Sequence, residues 1–128
     1  MLTMTALYTG LSALLLVVLS LLVVRERGRA RVSLGDGGDA QLQKAIRAQG
    51  NFVEYTPLAL LVIALVEMQA APPLAVHALG AALVGGRVLH AAGLTGVGGL
   101  KWGRAAGTAL TLLVLLFGGA GLIVQAIL

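Results

Sequence analysis

The segment R-A-Q-G-N-F-V-E-Y gathers Arg47, Gln49, Asn51, Glu54 and Tyr55 in an otherwise apolar chain. At about 100° per residue, Arg47, Asn51 and Glu54 share one narrow face of a helix and Tyr55 lies beside them, while Gln49 points the opposite way. A guanidinium, an amide, a carboxylate and a phenol are costly against lipid, where an ionised group at the bilayer centre costs about 3 kcal/mol even on the gentlest scale. They must face a bundle interior, a neighbouring subunit or a polar ligand. Two readings stand side by side: a ligand site, or a polar clamp in which these groups satisfy one another and fix helix packing. A second chemical cluster, G-R-V-L-H, carries Arg87 and His90, with Leu94 continuing their face at i+7. His90 is a hydrogen-bond donor to a ligand, a proton carrier or an interfacial histidine. Glu54 and Arg87 each lie about two turns from the same end of their helices, so the sequence predicts that they pair.

The elements that position these groups follow from composition. The chain has 128 residues, 59% hydrophobic and 11% charged, with a mean hydropathy of +0.98, far outside the range of a soluble domain. A spanning helix needs about 20 apolar residues. Four spans are predicted, at about 2–27, 40–68, 73–94 and 103–128, in one four-helix domain covering 1–128 with no internal repeat. The first is not read as a signal peptide, because no basic residue precedes it and the positive cluster follows it. In the second, the uninterrupted apolar part, Thr56 to Val66, is too short to cross alone, so the polar stripe must lie at membrane depth. Pro57 removes the usual partner of the Val53 carbonyl and is expected to bend this helix. Pro72 and Pro73 suit the start of the third. Ala78, Ala82 and Gly86 in the third helix, and Gly103 and Gly107 in the fourth, recur every four residues, a spacing that lets backbones approach closely in lipid.

All nine basic residues flank the first and third connections. Arg25, Arg27, Arg29, Arg31, Lys44 and Arg47 surround the first, and Arg87, Lys101 and Arg104 the third. Basic residues stay on the cytoplasmic side during insertion, so both termini are expected on the non-cytoplasmic side. The net charge of +4 therefore reports topology rather than nucleic-acid binding, and anionic headgroups account for Arg25 and Arg29. There is no cysteine, which excludes a protein thiol nucleophile, so any thiol chemistry must use a ligand's thiol. His77 and His90 lie about 20 Å apart on one helix and cannot share a metal, so none is expected.

R-A-Q-G-N-F-V-E-Y followed by T-P-L, then G-R-V-L-H, and R-V-S at Arg31 to Ser33, resemble the MAPEG family, the membrane-associated proteins of eicosanoid and glutathione metabolism. The resemblance covers essentially the whole chain. The loop G-D-G-G at Gly35 to Gly38 is more like that of the short bacterial members. The family implies a homotrimer that binds glutathione, as co-substrate, between adjacent subunits near the cytoplasmic end. It implies glutathione contacts from Arg27, Arg47, Asn51, Glu54, Tyr55 and His90, with Gln49 reaching a neighbouring subunit's site; Arg87 joins this set from its face. The family's catalytic arginine, which holds the glutathione thiolate, falls at Arg104 or Lys101. Arg104 is favoured because the first turn of a helix adds its dipole to the side-chain charge. Leu94 stands where several eicosanoid-making members carry an aromatic residue.

The resulting expectation is an all-α, four-span homotrimer of the bacterial inner membrane. It would conjugate or reduce lipophilic electrophiles with glutathione or a related thiol, the membrane lipids delivering the apolar substrate. Two rivals remain: a small proton-coupled drug exporter, which would use a lone carboxylate near the midplane, and a non-catalytic trimeric scaffold of the same family.

Overall fold

The computed structural model describes residues 1–128. It contains four long helices: α1 (Thr3–Ala30), α2 (Ala40–Met68), α3 (Pro73–Thr95) and α4 (Gly103–Ile127), with a short 3-10 turn at Val97–Gly99. All four are long and apolar enough to cross a membrane. The α2 helix runs unbroken through Pro57, so the polar stripe and the apolar stretch are one 29-residue rod.

Each helix starts and stops for a local reason. Helix α1 has no capping side chain of its own. Instead Glu67, from the last turn of α2, accepts from the Met4 and Thr5 amides at 3.0 and 2.7 Å and from the Thr5 hydroxyl at 2.6 Å. One carboxylate thus satisfies two of the orphan donors at an N-terminus and complements its dipole. Helix α1 runs three residues past its expected end, to Ala30, and closes on Arg31 in the left-handed conformation, φ 57°. Asp39 caps α2 by accepting from the Leu42 amide at 2.9 Å, and Arg29 grips the same carboxylate at 2.6 Å while also holding Glu26. Arg29 is therefore a strut between α1 and α2, where a headgroup contact was expected. Pro73 opens α3, its missing N–H falling where no helical partner exists. Gly96 ends it at φ 80°, a conformation that a side chain would strain.

Packing is tightest between α3 and α4, and glycine is the reason. A Cβ added at Gly107 would strike the Gly86 carbonyl and the His90 amide, and one at Gly93 would strike the backbone of Gly103 and Arg104. The expected Gly86, Gly103 and Gly107 all lie in this seam, joined by Gly93. Elsewhere, Ala59, Ile63, Val76, Leu83 and Val114 join α2, α3 and α4, and Leu19, Ala48, Phe52 and Ala91 join α1, α2 and α3. The Tyr8 ring occupies the space left by Gly80 and meets His77 edge-on, its hydroxyl 2.9 Å from Nδ1. His77 is thus a packing partner of α1. Only 26 of the 128 residues are buried, so most of the apolar surface, including Leu14, Val18, Leu21, Leu116 and Phe117, is left for lipid to cover.

Two outcomes follow for thermal unfolding in detergent. Gly107→Ala should lower stability by about 1–3 kcal/mol, the usual cost of overpacking, whereas Gly10→Ala, where an added methyl meets open space, should be neutral or gain up to about 1 kcal/mol in helix propensity. The Arg29 guanidinium and then the Leu42 amide hold the Asp39 carboxyl below the usual aspartate range. A lowered folded pKa gives stability that is fully present above the unfolded value, near 4, and is lost as pH falls through the folded value. The melting difference between the wild type and Asp39→Ala should therefore shrink as the pH is taken below 4.

Candidate functional site

The polar groups of α2, α3 and α4 meet at the end of the bundle that carries the basic connections. There a cavity of about 200 Å3 is lined by Gln43, Lys44, Arg47, Asn51, His90, Leu94 and Arg104. Gln43, Arg47 and Asn51 follow one another at i, i+4 along α2, His90 and Leu94 do so on α3, and Arg104 sits in the first turn of α4. Three permanent cations line this cavity and no carboxylate does. Like charges held around a partly desolvated space repel, so the site is built for an anion.

Arg87 organises the floor of this region. It is 3% exposed, and its guanidinium donates to Asn51 Oδ1 at 2.5 Å and to the Gly107 carbonyl at 3.3 Å. The same carbonyl accepts from the Thr111 hydroxyl at 2.9 Å. The Tyr55 ring lies 5.8 Å from the Arg87 guanidinium, a cation–π distance. Because arginine can only donate, the Asn51 amide must present its oxygen to Arg87. Its N–H groups are then available to the cavity that Asn51 lines.

The predicted pairing of Glu54 with Arg87 is not formed. Glu54 lies on the bundle surface, its side chain 51% exposed, and meets Arg47 at 3.5 Å. Equal depth was the basis of that prediction, but rotation about α2 decides the partner: Asn51 faces α3 and Glu54 faces outward. Arg87 bonds to a neutral amide and a carbonyl, which avoids desolvating a carboxylate beside it. Its Nε has no partner.

The other anticipated residues divide clearly. Arg47, Asn51, His90 and Arg104 come together around the cavity, and His90 is nearly buried, 5% exposed. Tyr55 is turned to Arg87. Lys101 is outside the cavity and shares a separate groove with Arg104. Gln49 does face away from the stripe, toward α1, donating to the Ser20 hydroxyl at 2.8 Å. Arg27 donates to the Gly35 and Val32 carbonyls and so shapes the first connection. Sequence reasoning missed Gln43 and Lys44, although their placement four and three residues before Arg47 puts them on its face.

These contacts separate Arg87 from Glu54 in a measurable way. Arg87→Ala should cost about 1–3 kcal/mol of thermal stability by removing the charged hydrogen bonds that tie α3 to Asn51 and to the Gly107 carbonyl. Glu54→Gln, which removes one end of an exposed ion pair, should cost less than about 1 kcal/mol.

Comparison with known proteins agrees with this architecture. The inner membrane protein YecN of Escherichia coli strain K12 is 49% identical over 86 residues, 67% of this chain and 66% of that protein. The protein of the same name from E. coli O6:H1 matches to the same extent. The match thus covers just under two thirds of the length of these relatives. No solved structure matches significantly. With four apolar spans and these relatives, the protein is a multi-pass inner-membrane protein. The MAPEG family model matches residues 5–124, and the chain belongs to the MAPEG family.

Proposed function

We propose that the protein binds glutathione, or a related thiol peptide, in the cavity between α2, α3 and α4, and activates its thiol for attack on lipophilic electrophiles. The observation that carries this reading is the lining of that cavity: Lys44, Arg47 and Arg104 with no carboxylate among them. Glutathione brings two carboxylates and a thiol that becomes an anion, and three cations match those three negative sites. Arg47 and Lys44 hold carboxylates, the guanidinium by paired hydrogen bonds and the ammonium as a point charge. Asn51, its oxygen engaged by Arg87, donates to a peptide carbonyl. Glu54, at the rim beside Arg47, is available to the ammonium group.

Arg104 stabilises the sulfur. A free thiol has a pKa of about 8.5, and a fixed positive neighbour at a helix N-terminus lowers it. That supports Arg104 over Lys101 as the thiolate partner, since Arg104 lines the cavity. The exposed apolar surface of α4, beginning beside Arg104, gives a membrane-dissolved electrophile a lateral approach. His90 donates a hydrogen bond or carries the proton from the thiol.

The proposed assembly is a homotrimer with both termini on the non-cytoplasmic side, supported by family membership and by basic residues at the first and third connections. Gln49 and Arg27 are bonded within their own chain, so contact with a ligand in a neighbouring subunit requires those bonds to be exchanged. The second reading, a non-catalytic trimeric scaffold, draws on the engagement of Asn51 by Arg87, which serves packing equally well.

Glutathione should stabilise the purified protein against heat, by about 2.7 kcal/mol at 100 times its Kd, and Arg47→Ala or Asn51→Ala should remove this effect while leaving the trimer intact. No stabilisation at millimolar glutathione would sink the binding step, and loss of the trimer in Arg47→Ala would favour the scaffold. Arg104→Leu should raise the pKa of the bound thiol, read from thiolate ultraviolet absorbance against pH; Lys101→Leu should change it far less.

A further inference from the structure

Two hydroxyls in the middle of the bundle have no partner within the protein. Ser12 on α1 and Thr56 on α2 are 3% and 2% exposed, and neither Ser12 Oγ nor Thr56 Oγ1 makes a hydrogen bond. Other hydroxyls of the helices show how such a group is ordinarily satisfied. Thr95, Thr108 and Thr111 donate to the carbonyl four residues back, the local bond open to any helical serine or threonine. Thr5 donates to Glu67, and Ser20 accepts from Gln49. Ser12 and Thr56 make neither the local bond nor a bond to each other, although a buried hydroxyl left unpaired is destabilising.

Both residues line one groove between α1 and α2, about 220 Å3 in volume, together with Thr9, Leu16, Val53 and Pro57. Pro57 has no N–H to give the Val53 carbonyl, so a third unpaired group borders the same space. At 1.5 Å of rise per residue, Ser12 lies about 14 Å along α1 and Thr56 about 18 Å before the end of α2. Both are at membrane depth, beyond the reach of bulk water at either face. Two hydroxyl donors and one carbonyl acceptor, contributed by two helices, match the hydrogen-bonding capacity of a water molecule, which accepts twice and donates twice. The groove is well above the roughly 10–15 Å3 that one water requires, and three polar partners are the usual number for a buried one.

We propose that this groove is an internal water site. A water molecule accepts from the Ser12 and Thr56 hydroxyls and donates to the Val53 carbonyl, linking α1 to α2 and satisfying the carbonyl where proline cannot, as ordered water does for interrupted helices in a bilayer. The site is separate from the thiol cavity and stands whether or not glutathione binds there.

The full-length protein, carbon-13 labelled and reconstituted in bilayers, is read by water-edited solid-state NMR, in which magnetisation starts on water and reaches the nearest carbons first. The Cβ signals of Ser12 and Thr56 should build up several-fold faster than that of Ala59, which is 0% exposed and three residues further along α2. Thr56→Val should slow the build-up at Ser12 and lower the melting midpoint by about 4 °C, the shift that loss of one net hydrogen bond gives in a chain of about this length. Thr56→Ser, which keeps the hydroxyl, should retain both properties, so that a loss in Thr56→Val is not misfolding. In Pro57→Ala, where residue 57 supplies its own N–H to the Val53 carbonyl, Thr56→Val should lower the midpoint less. A higher midpoint in Thr56→Val overturns the proposal, because removing a dry, unpaired hydroxyl is a gain. Build-up at Ser12 and Thr56 as slow as at Ala59 overturns it too, as does magnetisation arriving from lipid acyl chains faster than from water, which marks a lipid in the groove.

Discussion

The arrangement depends first on Arg87. A guanidinium buried among membrane helices must find partners inside the protein, and Arg87 finds them on both neighbouring elements: the Asn51 amide of α2 and the Gly107 carbonyl of α4. One side chain of α3 thereby fixes the rotation of two other helices. The second bond is possible because Gly86 and Gly107 let α3 and α4 come into backbone contact. The polar tie and the glycine seam are thus one device, in which close approach brings the carbonyl within reach and the bond sets the register.

The same tie sorts the polar stripe of α2. With its oxygen committed to Arg87, Asn51 offers donors to the cavity, and the turn of α2 that aims Asn51 inward carries Glu54 outward. Acidic groups are thereby kept out of the cavity lining. The carboxylates serve instead as structural acceptors, with Glu26 and Asp39 holding the basic end together through Arg29 and Glu67 capping α1 at the other end. The result is a bundle whose opposite end is locked by Glu67 and by Tyr8 against His77, while the basic end keeps an electropositive cavity.

Local chemistry determined a great deal. Hydropathy, charge distribution and proline placement were enough to read four spans, the start of α3 and the end of the bundle at which the basic groups gather, because each depends on the bilayer's thickness or on helix geometry. Helical spacing put Arg47 and Asn51 on one face of α2 and Arg87 and His90 on one face of α3, the family resemblance added Arg104, and the small-residue repeats marked α3 and α4 as helices that pack closely. Gln43 and Lys44 obeyed the same periodicity, but ahead of the polar motif they read as part of a basic connection.

Tertiary structure alone decided which polar groups meet. Depth along a helix follows from residue number, whereas the rotation of one helix against another follows from how all their side chains pack, and that rotation gave Arg87 to Asn51 and left Glu54 at the surface. It also set Arg104 on the cavity and left Lys101 outside it, a distinction that the two residues between them do not reveal. The capping of α1 by Glu67 joins groups more than sixty residues apart, beyond the reach of any periodic pattern.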